Sequence, residues 1–303
     1  MSFPKVSVLM PVYNSHETHL REAIESILNQ TFTDFEFIIV NDASPNPNVE
    51  KIILSYTDPR IRYSKNPTNL NVSATRNRLL DEARGEYLAI FDHDDISLPT
   101  RLEKQVAFLD AHPEIGVLGT NAYYTPSGAI TSAALSDRDI RIDLMGRSPF
   151  IHPTVMIRKK ILEDHQIRYD EQSNYAEDYD LWCQLIPHTQ FANINEILVH
   201  YRDHHSGYSK VHSKHIKKRT EEIWNRARHK HPDLWREFQT PGYYLKRESV
   251  YKLFRFLPIW KSIEKDNFYQ GYLFAVIPIL CRKTYIDSMY PVTRIIPPNK
   301  SGK

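Results

Sequence analysis

The chain has 303 residues, with 39 Lys+Arg against 37 Asp+Glu and 41% apolar residues. That length suits one large domain, or one domain with a smaller appendage, and the composition excludes a mainly disordered chain, a collagen-like repeat and a disulfide scaffold. The two cysteines, Cys183 and Cys281, form no metal-type or redox-type pair, so a reducing compartment is expected.

The first half alternates strand and helix. Val6 to Met10 is an apolar run ending at Pro11 and reads as a buried strand. Leu20, Ile24, Ile27 and Leu28 recur at helical spacing. Residues 35–40 form a second strand, and Asn41 to Pro45 is turn chemistry after it. Val49, Ile52 and Ile53 mark a short helix, Ile61 to Ser64 a brief strand, and residues 66–69 a loop. A helix is predicted over 72–83 and a strand over 87–91, cut off by four polar residues. Leu102, Val106 and Leu109 lie on the next helix, and 116–119 reads as another strand.

This alternation predicts an α/β fold with a mostly parallel sheet covered on both faces. In such sheets ligands bind beyond the carboxyl ends of the strands. Residues 11–14, 41–44 and 92–95 follow three different strands, so all three should open onto one crevice.

From about residue 215 the texture changes. Residues 1–215 hold 21 Lys+Arg and 29 Asp+Glu, a balance of −8; residues 216–303 hold 18 and 8, a balance of +10. A catalytic domain over 1–215 and a basic, partly helical region over 216–303 are expected, with 213–236 helical. Leu253 to Ile259 recurs as Leu273 to Ile279, giving two Leu-Phe-x-x-x-Pro-Ile segments with basic residues just beyond each. No apolar stretch reaches the roughly 18 residues of a spanning helix; the run Tyr272 to Cys281 is interrupted by Pro278. Lys5 is the only charge before the first apolar run and no small-residue cleavage site follows it, so no signal peptide is expected.

Five groups of side chains are candidates for chemistry. Asp92, Asp94 and Asp95 place three carboxylates in four residues at a strand end, an arrangement that repels itself without a cation. Mg²⁺ and Mn²⁺ are commonly held by one or two carboxylates plus substrate phosphates. The competing reading is a solvated helix start, where acids are also favoured. Glu177, Asp178 and Asp180 precede an apolar helical stretch, and serve either as caps or as a general base at a cleft. Asp42 is either a turn former or a hydrogen-bond acceptor for a base or ribose. The segment His200 to His205 offers metal ligands and a cation, or a plain polar loop. His152-Pro153-Thr154 reads equally as an acceptor-side feature and as a turn.

Five motifs in order, VLMPVYN (8–14), IIVNDAS (38–44), NLNVSATRN (69–77), FDHDD (91–95) and AEDYDLW (176–182), closely resemble the family 2 glycosyltransferases of GT-A fold. The resemblance covers roughly residues 4–210. It implies an inverting transferase using a UDP-sugar donor with Mn²⁺ or Mg²⁺. On the matching positions, Pro11, Val12, Tyr13 and Asn14 would line the uridine pocket and Asp42 would hydrogen-bond the uracil. Arg76 would lie near the nucleotide and Asp92 at the ribose or diphosphate. Asp94, with Asp95, would hold the metal, His204 would approach it, and Asp178 would be the base. The family often has Gly where this chain has Ala43 and Asn71; Asn tolerates the left-handed backbone that Gly permits, Ala less so.

The tail resembles those of bacterial cell-surface polysaccharide and lipooligosaccharide transferases. The implied acceptor is a glycan or a lipid-linked sugar, and the implied place is the cytoplasmic face of the cell membrane. The basic tail fits an anionic membrane surface, and nucleic acid is not expected as a partner. A sugar nucleotidyltransferase would need a Gly-rich phosphate loop near the first strand, yet no glycine precedes Gly85; nicotinamide chemistry fails on the same ground. A carbohydrate-binding protein without catalysis would not need the full carboxylate set.

Overall fold

The computed structural model describes residues 3–172, 175–203 and 213–240, together with the backbone of a strand at 292–294. The chain begins β1 (Val6–Val12), α1 (Glu17–Leu28), β2 (Phe35–Asn41), α2 (Pro47–Leu54), β3 (Ile61–Lys65), α3 (Asn71–Glu82) and β4 (Tyr87–Ile90). Strands β1, β2, β3 and β4 pair in parallel in the spatial order β4-β1-β2-β3. This is the parallel sheet the alternation predicts.

Their continuous apolar runs follow from burial on both faces. Leu9, Ile38, Val40, Leu88 and Ile90 face one core, with Leu79 and Leu80 of α3. The alternate residues Val8, Met10, Phe37, Ile39 and Ala89 face the other, with Leu20 and Ile24 of α1 and Ile52 and Ile53 of α2.

A second half extends the sheet. It contains β5 (Ile96–Ser97), α4 (Arg101–Ala111), β6 (Ile115–Thr125), β7 (Ala129–Thr131), α5 (Asp137–Asp143), β8 (Met156–Arg158), α6 (Lys159–Asp164), α7 (Glu177–Leu185) and β9 (Gln190–Arg202). Here β8 joins β4 and β6 antiparallel, β7 joins β6 antiparallel, and β9 runs parallel to β6 while pairing with β5. The sequence periodicity marks only the first turn of β6 and misses β9, whose buried and exposed residues follow no regular alternation. A final strand, β10 (Val292–Arg294), pairs antiparallel with β7.

The basic segment predicted as one helix forms two, α8 (Ser213–Lys230) and α9 (Pro232–Gln239). Pro232 cannot donate the backbone bond that would continue α8, and it opens α9 instead. Ile223 and Ala227 of α8 are buried in the same core as Trp182 of α7, and Trp235 and Phe238 of α9 pack against it. Among the described residues no helix is long and apolar enough to cross a membrane. Both Leu-Phe-x-x-x-Pro-Ile segments lie outside the described residues.

Candidate active site

The carboxyl ends of β1, β2 and β4 open on one edge, as the alternation predicts. Register pairs Val12 with Asn41 and Leu9 with Ile90, so the segments after them emerge side by side. The Asp42 amide extends the ladder by donating to the Val12 carbonyl at 2.8 Å. The Asn14 amide donates to Ser44 Oγ at 3.0 Å, locking the first two loops together. Asp42 Oδ1 accepts from Asn66 Nδ2 at 2.7 Å and from the Leu70 amide at 2.8 Å, so the same carboxylate holds the third loop.

Three residues around this mouth have left-handed backbones: Asn14 (φ +48°), Ala43 (φ +54°) and Asn71 (φ +71°). The last two are the positions where the family that the motifs resemble often has glycine. Tyr13 is exposed and Asn14 stands beside it, whereas Val12 is buried with its side chain in the α1-side core. What Val12 offers the crevice is therefore its backbone. Pro11 lines a narrow apolar cleft with Leu9, Arg76, Leu79, Ile90 and Tyr169.

The acidic loop follows β4. Asp92 and Asp94 are partly exposed, while Asp95 is 1% exposed. Asp95 Oδ1 accepts from the Arg202 amide at 2.8 Å, and Arg202 Nε donates to the Asp94 carbonyl at 2.6 Å. Arg202 thus fastens the acidic loop to the end of β9 and reaches Glu22 of α1. Burial, then repulsion from Asp94 and Asp92, pushes the Asp95 carboxyl well above the usual range, and its Oδ2 is buried without a hydrogen-bond partner.

Behind the loop lies Arg101, which sequence reasoning missed. It is fully buried, donating from Nη2 to the Ile90 carbonyl at 2.9 Å and from Nε to Gln105 at 3.0 Å. Burial pulls its guanidinium down to about 9, against the attraction of Asp95 and Asp92. A signal existed: Arg101 opens the helix that follows the acidic loop and β5, at the start of an apolar stripe.

This donor set suits a hard divalent cation. It consists of carboxylate oxygens that repel one another, one of them buried and unpartnered. Among the described residues no three His, Cys, Asp or Glu side chains converge as a closed cage. A Mg²⁺ or Mn²⁺ site completed by substrate phosphates requires none. His204 lies outside the described residues.

Three carboxylates at the start of α7 compete for the role of base, and their partners separate them. Asp180 is 2% exposed and paired with Arg226 of α8 and with Gln184. Glu177 is buried and accepts from Arg76 Nη1 at 2.6 Å. Asp178 is partly exposed and, among the described residues, accepts only a backbone bond, from the Tyr179 amide at 2.7 Å. Burial and the adjacent Glu177 push its carboxyl up to about 6. A carboxylate that is accessible, weakly partnered and raised in pKa is suited to take a proton near neutral pH.

Arg76 joins the two sides of the crevice. Its Nη2 donates to Asp92 at 3.1 Å while Nη1 holds Glu177, a contact across 101 residues of sequence. Its guanidinium lies 5.7 Å from the Tyr169 ring. Tyr169 in turn places its hydroxyl 3.0 Å from His152 Nε2. His152 occupies a buried 3-10 turn (His152–Thr154), and burial together with Arg76 holds its imidazole neutral, well below its ordinary value. The structure therefore brings Tyr13, Asn14, Asp42, Arg76, Asp92, Asp94 and Asp178 to the carboxyl edge of the sheet and its facing helix.

Comparison with known proteins agrees with this geometry. The family model described as Glycosyl transferase family 2 matches residues 7–166. An uncharacterized glycosyltransferase of Methanocaldococcus jannaschii is 40% identical over 67% of this chain and 72% of its own length. EpsE of Bacillus subtilis, named as a glycosyltransferase, is 35% identical over 61% of this chain and 67% of its own. Among solved structures, S. aureus TarS in complex with UDP-GlcNAc superposes with a TM-score of 0.58 at 20% identity, covering 85% of this chain and 79% of that one. Against a longer TarS chain the match spans 43% of that chain. A Pyrobaculum calidifontis mannosyltransferase in complex with GDP-Man and Mn²⁺ gives 0.54 at 15% identity, covering 87% and 84%. At these identities the structural matches speak for the fold.

Proposed function

The chain belongs to glycosyltransferase family 2, and on that premise we propose that it moves a sugar from a UDP-sugar to a hydroxyl of a glycan or lipid-linked acceptor, inverting the anomeric carbon. The observation that supports this reading is the division of labour among the three carboxylates of α7: among the described residues, only Asp178 is both accessible and without a cationic side-chain partner at hydrogen-bonding distance.

In this reading Tyr13, Asn14 and Asp42 receive the uridine, with Pro11 and Val12 forming the floor beneath them. Arg76 and Asp92 orient the ribose and diphosphate side. Asp178 takes the proton from the acceptor hydroxyl as its oxygen attacks the anomeric carbon from the face opposite the diphosphate. A single base suffices, because no covalent sugar–enzyme bond is formed. Asp94, with Asp95 behind it, would hold Mn²⁺ or Mg²⁺, and His204 is proposed to approach it; the bound ion would neutralise charge developing on the departing diphosphate. Base catalysis of this kind typically contributes about 10² to 10⁴ in rate, so positioning of donor and acceptor must supply much of the remainder.

The basic region is proposed to face an anionic membrane surface at the cytoplasmic side, in bacterial surface-polysaccharide synthesis. Lys214, Lys217 and Lys218 stand exposed along α8, while its Ile216, Ile223 and Ala227 are buried. A charge-based boundary at residue 215 cuts this helix. Ile223 and Ala227 of that helix share a core with Trp182 of α7.

Calorimetry with UDP, with and without Mn²⁺, tests the donor side. UDP should bind more tightly with Mn²⁺, and Asp94→Ala should abolish that difference while the protein stays folded. Equal affinity in EDTA would remove the metal from the account.

A further inference from the structure

Arg76 is one cation among three carboxylates contributed by two elements. Asp92 comes from the loop after β4, and Glu177 and Asp178 from the first turn of α7. A guanidinium is a planar fork that can serve two carboxylates at once. Here one arm, Nη1, lies 2.6 Å from Glu177, and the other, Nη2, lies 3.1 Å from Asp92. Each terminal nitrogen thereby has a carboxylate partner while Nε is buried without one, and among the described residues Asp178 accepts from the Tyr179 amide.

We propose that Glu177 is a positioning residue for the transfer: by engaging one arm of Arg76 it keeps that cation off Asp178, and it fixes the base-bearing helix against the donor loop. The inference rests on Asp178 being the base. Its physical content is a choice between two arrangements of one buried cation. A carboxylate paired directly with an arginine has its pKa lowered by about 1 to 3 units and becomes a correspondingly weaker base. With Arg76 held by Glu177 and Asp92, Asp178 escapes that fate.

Among the described residues the groups facing Asp178 can be named. Glu177 adjoins it on α7, Cys183 lies on the same helix, Arg76 comes from α3, Asp92 from the acidic loop, and Tyr169 from the segment before α7. Burial, and next the Glu177 charge, raise Asp178; the Tyr179 amide and Arg76 act against them. Loss of the Glu177 charge therefore lowers the Asp178 pKa twice over, by removing a repulsion and by releasing Arg76 toward Asp178.

The test is the pH dependence of UDP-sugar hydrolysis and the titration of Asp178 itself, followed by its ¹³C carboxyl shift. In Glu177→Gln the acid limb should move down by about one unit or more, with turnover on the plateau reduced several-fold. Glu177→Asp keeps the charge and should leave the limb near its wild-type position. Glu177→Met removes the charge at similar volume and reads the same shift if the Gln variant does not fold. A purely structural Glu177 would lower turnover in Glu177→Gln and leave the limb in place. That result, or an equal shift in Glu177→Asp, overturns the proposal. If the wild type hydrolyses no UDP-sugar, the functional reading fails. The carboxyl titration still decides the role of Glu177, because it needs no turnover.

Discussion

Ala43 is a strained point of the loops that follow β1 and β2. It follows Asp42 directly and holds φ at +54°. The turn around it is over-determined: the Asn41 carbonyl accepts from the amides of Ala43 and Asn66, and Asn41 Oδ1 accepts from the Ser44 amide at 2.9 Å. The backbone therefore cannot relax without breaking bonds that also place Asp42. An L-residue in this region costs about 1 to 2 kcal/mol relative to glycine. Glycine loses about 0.4 to 1 kcal/mol through greater freedom of the unfolded chain. The difference predicts that Ala43→Gly stabilises the protein by about 0.5 to 1 kcal/mol, or about 1 to 4 °C in Tm for a domain of this size. Ala43→Val should destabilise by about 1 kcal/mol or more, because a β-branched side chain tolerates positive φ least. Thermal or urea unfolding of the three proteins is the assay, with UDP affinity measured in parallel. A neutral or destabilising Ala43→Gly would refute the strain argument, since it would mean that the Ala43 methyl packs well enough to offset its backbone.

Two further predictions concern charge. With the Asp178 carboxyl near 6, the base is about nine-tenths ionised at pH 7 and about one-tenth at pH 5, so hydrolysis should fall about tenfold as pH drops through that range; a flat rate between pH 5 and 7 would exclude Asp178 as the titrating base. The full chain should sediment with anionic liposomes and release as salt rises, each basic residue near the surface contributing about 1 kcal/mol; indifference to anionic vesicles at low salt would assign the tail a purely structural role.

Much of the crevice at the carboxyl ends of β1, β2 and β4 is legible in the sequence because it is local. Each loop there follows a strand whose apolar run is visible, and register places the loops together once the strands pair in parallel. The Gly-like demands at Ala43 and Asn71 are also local, and both residues adopt left-handed backbones. What the sequence hides is long-range pairing. Nothing near Arg76 announces a partner 101 residues away, and Asp178, Glu177 and Asp180 look interchangeable until Arg76 and Arg226 engage two of them. Arg202 reads in sequence as a cation in a histidine-rich segment, and its contacts with the Asp94 carbonyl and Glu22 emerge only in the fold. Strand β9 escapes notice for a different reason. Its register against β6 shifts at bulges, so neither face shows a clean alternation.

The central claim is that Asp178 is the base of a transfer whose donor binds independently of it. The direct test is Asp178→Asn, which keeps the shape of the side chain and removes its basicity, assayed for turnover of a UDP-sugar and for UDP affinity in the same preparation. The account predicts a loss of about 10² or more in turnover with UDP affinity unchanged. Near-normal turnover in Asp178→Asn would contradict it and move the base elsewhere.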